Sequence, residues 1–109
     1  MKLVIAIVQD DDAGDLIDVI TDEGFRVTKL ATTGGFLKSG NTTLMIGVEE
    51  EKTERVLAII EKVCRTRDQV ITSPSPVAGS TGVYVPYPVE VEVGGATIFV
   101  VDVDKFIKI

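Results

Sequence analysis

The chain has no histidine, a single cysteine and fewer basic than acidic residues. Without histidine it lacks the commonest general base near neutral pH and the commonest zinc ligand. No serine or cysteine has an imidazole to activate it, so catalysis is not expected. Cys64 alone can form neither an intrachain disulfide nor a thiolate cluster. Beside Val63 near a helix end, it reads as a buried structural thiol. Eleven Lys and Arg against seventeen Asp and Glu leave a net charge of −6, with no basic stripe. Such a surface repels phosphate backbones and argues against DNA or RNA as a partner. Long hydrophobic runs are missing too. The apolar start ends at Asp10-Asp11-Asp12, too short for a secretory segment or a membrane span. A cytoplasmic protein with no membrane insertion is expected.

What remains is enough for one domain over residues 1–109, an ordinary globular composition with 45% hydrophobic residues. Residues 2–9 form a continuous Val/Ile-rich run, the mark of a buried strand. A helix follows, with Leu16, Ile17 and Ile20 at helical spacing, an aspartate to cap it and Gly24 to stop it. Magnesium at the aspartate run would need convergent oxygens, whereas neighbouring carboxylates point different ways, so a helix start is expected and no metal site. Phe25 to Thr33 reads as a second strand and Thr42 to Val48 as a third. Glu49-Glu50-Glu51 opens a second helix that ends near Arg65–Arg67. Residues 69–88 hold all four prolines and no lysine or arginine. They read as a long loop with a short strand at Gln69–Thr72. Val89 to Val93 alternates as a strand, Gly94-Gly95 turns, and Ala96 to Val103 closes the domain.

This order predicts an α+β fold, the ferredoxin-like βαββαβ arrangement with an extra hairpin strand: an antiparallel sheet with both helices on one face. The other face carries more apolar residues than water should see, which predicts burial against further copies of the chain.

The stretch K-L-A-T-T-G-G-F-L-K-S-G-N-T-T, residues 29–43, is the richest in binding chemistry. Gly34, Gly35 and Gly40 permit positive φ and close approach of backbone amides to an anion. No G-x-x-x-x-G-K-[ST] pattern is present. Phe36 offers a ring to stack on a base, and Asn41 the donor–acceptor pair that an adenine edge requires. Arg26 and Thr28, on one face of the preceding strand, can supply a fork and a hydroxyl. Each has a plainer use. The glycines suit a turn, Phe36 a subunit contact, Asn41 an Asx turn and Arg26 a surface ion pair. Together they point to nucleotide binding.

These blocks, with F-R-V-T before them, P-Y-P-V-E-V-E-V-G-G-A-T-I-F-V near the C-terminus and M-K-L-V-I-A-I-V-Q-D at the start, closely resemble the PII-like cyclic di-AMP receptor family across nearly the whole chain. The resemblance implies a non-catalytic signal transducer: a homotrimer with cyclic di-AMP in clefts between neighbours. Ligand binding there would reorder loops 34–40 and 69–88 and so signal to a downstream protein partner. It places Arg26, Val27 and Thr28 in the pocket from the second strand, and Gly35, Phe36 and Leu37 from the loop, with Phe36 against an adenine. Asn41 and the Gly47 backbone would read base edges, and Phe99 would add an apolar wall. Lys108 stands where a polar side chain would meet a base, and could meet a phosphate instead. Two alternatives are a PII-type sensor of ATP and 2-oxoglutarate and a small ferredoxin-like enzyme. A triphosphate needs several cations, but the 69–88 segment has none, leaving mainly Arg26, Lys29 and Lys38. Cyclic di-AMP carries only two negative charges.

Overall fold

The computed structural model describes residues 1–30, 40–76 and 84–109, with the backbone alone for 71–76 and 84–87. Its elements in chain order are β1 (Lys2–Gln9), α1 (Asp10–Asp22), β2 (Val27–Leu30), β3 (Asn41–Val48), a short 3-10 turn (Glu50–Lys52), α2 (Thr53–Cys64), β4 (Arg67–Pro76), β5 (Tyr84–Val93) and β6 (Ala96–Asp102). Four strands form the main sheet in the order β2-β3-β1-β6. Every neighbouring pair is antiparallel. The fold is therefore α+β, with a strand order compatible with the ferredoxin-like arrangement.

Alternation along the strands sorts the sheet into two faces. Val4, Ala6 and Val8 of β1 and Leu44, Ile46 and Val48 of β3 are buried under the helices, against Leu16 and Ile20 of α1 and Val56 and Ile60 of α2. On the opposite face lie Leu3, Ile5 and Ile7 with their register partners Gly47, Met45 and Thr43, and Val101, Phe99 and Thr97 beyond them. Phe99 is 55% exposed, and Val101 and Leu30 are exposed as well. This is the apolar open face that the sequence led us to expect.

Gly24 ends α1 as expected. At φ +91 it lets its own N–H reach Thr21 O (2.9 Å) while Phe25 N–H reaches Ile20 O (3.2 Å). That is a Schellman closure, with Phe25 packed back onto the core. Gln9, rather than an aspartate, occupies the N-cap of α1, and the three aspartates fill its first turn. Gly14 sits mid-helix, exposed, with open space where a Cβ would stand. Gly14→Ala should therefore raise unfolding stability by about 0.5–1 kcal/mol, read from chemical denaturation midpoints at unchanged m-value.

Three expectations need correction. β2 begins at Val27 rather than Phe25, and its far end, expected at Thr33, lies outside the described residues. α2 ends at Cys64, because Arg65 is already extended (ψ 144). Most importantly, the described parts of the segment expected as a long loop with a short strand at Gln69–Thr72 join the expected 89–93 strand in a two-stranded antiparallel ribbon, β4 with β5, separate from the main sheet. Its register pairs Pro74 with Pro86, Thr72 with Pro88 and Pro76 with Tyr84. All four prolines thus fall on alternate pairs of one parity. Proline has no N–H, so those are the pairs whose N–H groups point away from the ladder, and the internal hydrogen bonds survive. The same placement deprives both outer edges of donors and blunts them against further strand pairing.

Candidate functional site

Arg26 and Thr28 flank Val27 at the start of β2, and alternation sends them both to the open face. There they line a cleft of about 570 Å³ together with the bare backbone of Gly47 at the end of β3. Among the described residues, its chain neighbours aside, no atom comes within 4 Å of the place where a Cβ on Gly47 would stand, so the strand can be approached closely there. Lys52 projects from the start of α2. Phe106 and Lys108 return on the C-terminal tail, which Val103 N–H ties to Met1 O at 3.2 Å.

The charges of this cleft are unevenly committed. Glu23 accepts Arg55 Nε at 2.7 Å and a second bond from Arg55 Nη2. Those bonds hold the Glu23 carboxyl below its ordinary range and the Arg55 guanidinium above its own. Among the described residues Arg26 makes no ion pair, in contrast to Arg55 and Arg67. With Glu23 neutralised by Arg55, the side-chain cations Arg26, Lys52 and Lys108 outweigh the Glu49 carboxylate by two, and Met1 lines the cleft as well.

The other expected residues are placed elsewhere. Val27 turns to the helix-covered face and packs on the core. Asn41 begins β3, six residues before Gly47, so about 20 Å of extended strand separates them. It lines a second, polar concavity of about 360 Å³ with Gln9, Thr66, Gly94, Gly95 and Thr97. Phe99 lies in one transverse row with Thr28, through the register pairs Thr28–Met45, Met45–Ile5 and Ile5–Phe99. Three strand spacings put it about 14 Å from Thr28. Gly35, Phe36 and Leu37 lie outside the described residues.

Sequence reasoning missed Lys52 and Phe106. The available signal was weak, since Phe106 and Lys108 lie in the tail after β6, outside any periodic element.

The aspartates are engaged within the fold. Asp10 accepts from Thr42 Oγ1, and Asp12, 5% exposed, accepts Arg67 Nη2 at 2.7 Å and Nη1 at 3.3 Å. Among the described residues no group of three potential metal ligands is gathered. No described helix is long and apolar enough to cross a membrane. Cys64 is buried, and burial first, then the nearby Asp12 charge, pushes its thiol up to about 11. At pH 8 about one molecule in a thousand then carries the thiolate. Iodoacetamide should leave the native thiol unmodified over hours and label it within minutes in denaturant, as read by intact mass.

Two comparisons bear on this geometry. A family model described as cyclic-di-AMP receptor matches residues 1–109. A crystal structure of a functionally unknown protein from Pediococcus pentosaceus is similar at 51% identity and a TM-score of 0.78. That match covers 99% of this chain and 96% of the other.

Proposed function

The chain belongs to the cyclic-di-AMP receptor family, and from that premise we propose that it binds cyclic di-AMP without turning it over, as a cytoplasmic signal transducer. The observation that carries this reading beyond family membership is the cleft at Arg26, Thr28 and Gly47. Its side-chain cations exceed its uncommitted carboxylates by two, which suits the two phosphates of the dinucleotide, and it has fewer cations than a bare triphosphate needs. Lys52 and Lys108 add phosphate partners to the Arg26 fork.

The ligand sits between copies of a PII-like homotrimer. Two spans support this. Asn41 and Gly47 are about 20 Å apart on one strand, and Thr28 and Phe99 about 14 Å apart across the sheet. One base cannot touch both members of either pair on a single chain, whereas the exposed row around Phe99 can face a neighbour's cleft. Val27 contributes through its backbone, since its side chain is in the core. The family resemblance adds Gly35, Phe36 and Leu37 to the pocket, with Phe36 against an adenine, and the signal passes to a protein partner.

Isothermal calorimetry with cyclic di-AMP, cyclic di-GMP and ATP tests the reading, with sedimentation velocity for the trimer. Cyclic di-AMP should bind in the micromolar range or tighter, at one site per chain. Binding of magnesium–ATP in its place, or no cyclic di-AMP binding below millimolar, would overturn it.

A further inference from the structure

We propose that the start of α1 is a joint tying the Asn41 end of β3 to the β4–β5 ribbon, with Gln9, Asp10 and Asp12 as its positioning residues. Five connections meet at these three residues. Asp10 N–H donates to Gly40 O at 2.8 Å, and the Asp10 carboxylate accepts the Thr42 hydroxyl, so both neighbours of Asn41 are held by one residue. Gln9 is the register partner of Asn41 itself, and its Oε1 accepts Gly94 N–H, where the ribbon leaves, at 2.8 Å. Asp12 grips Arg67, where the ribbon enters, through both guanidinium nitrogens.

Helical geometry explains the division of labour. Asp10 and Asp12, two residues apart, are about 200° apart around the helix axis, so they face opposite neighbours, one toward β3 and one toward β4. Both also lie in the first turn, where the helix dipole favours their charge. The Asp12 carboxylate is buried while the Arg67 side chain is 41% exposed, and the hydrogen bonds between them raise the Arg67 pKa. Among the described residues, the ribbon has little attachment to the body of the molecule beyond its root. A shift at Gly40–Thr42 must therefore move the N-terminus of α1, and that terminus holds both ends of the ribbon. The coupling is reciprocal, as any linkage between two segments must be. Its trigger rests on the cyclic di-AMP reading, but the joint itself does not.

Hydrogen exchange on the full chain, followed by mass spectrometry, separates the two. Without ligand, Thr42→Val, which removes the bond to Asp10, should speed exchange about fivefold at Asp68–Val70 and Glu90–Gly94 as well as near itself. Arg67→Gln should do the same at Gly40–Thr43, and Arg67→Lys should restore much of the protection. Changes confined to the substituted segment would overturn the joint, whether or not any ligand binds. With cyclic di-AMP, the wild type should gain protection at both ribbon ends. Arg67→Gln should bind within about threefold of wild type, as measured by calorimetry, yet lose that gain. Equal ribbon protection in both proteins would also overturn the proposal. Failure of the wild type to bind would remove the trigger alone, with the ligand-free arm still deciding the joint.

Discussion

Arg26→Ala should raise the dissociation constant for cyclic di-AMP by about 10- to 100-fold while leaving the melting temperature within about 2 °C of wild type. A hydrogen bond to a charged group contributes about 1.5–3 kcal/mol, and each 1.4 kcal/mol is a factor of ten. The Arg26 side chain is exposed and unpaired among the described residues, so its removal strands no buried partner. Surface changes of that kind stay within about 0.5 kcal/mol of wild-type stability. Arg26→Lys should recover only part of the affinity, because an ammonium replaces a two-pronged fork by a point charge. The converse pattern would be equally informative. If Arg26→Ala lost stability and kept binding within twofold, the cleft would be structural and the ligand would lie elsewhere, the polar concavity beside Asn41 being next to test.

Local signals made much of this fold legible. Continuous apolar runs marked β1 and β3, Gly24 marked the Schellman stop, and alternation put Arg26 and Thr28 on one face. Each of these is a property of one segment. The ribbon was not legible, because proline compatibility with a ladder depends on the parity of two strands at once. Read singly, Pro74, Pro76, Pro86 and Pro88 are breakers; read as register pairs, they are edge guards. The cleft divided in the same way. Its β2 and β3 members came from neighbouring alternation, but Lys52 and Phe106 arrive from a helix start and a returning tail. Asp12 taught a related lesson. Its position in an acidic run suggested a helix cap and dipole complementarity, and its engagement with Arg67, 55 residues away, depends on where the ribbon is rooted.

The second large effect concerns that root. Gly94→Ala should lower the melting temperature by about 10 °C or more. Gly94 has φ +84, a conformation that costs a side-chain-bearing residue about 1–3 kcal/mol. An added Cβ would also collide with Arg65 O and Arg67 Nη1 and lie 3.1 Å from Cys64 O. Two of these are backbone carbonyls at the end of α2 and cannot swing aside. Displacing the residue would break its N–H bond to Gln9 Oε1, adding about 1 kcal/mol. In a domain of this size each kilocalorie lowers the melting temperature by about 4–8 °C. Gly95→Ala is the internal control. Its φ is +91, but among the described residues its Cβ would meet only the hydroxyl of Thr66, at 3.1 Å, and a hydroxyl can rotate. The loss there should be less than half as large. Calorimetric melting of both variants checks the ranking. A Gly94→Ala protein that melts with the wild type would mean that the ribbon root is not seated on α2, and the Arg67–Asp12 clamp would then have no fixed base from which to act.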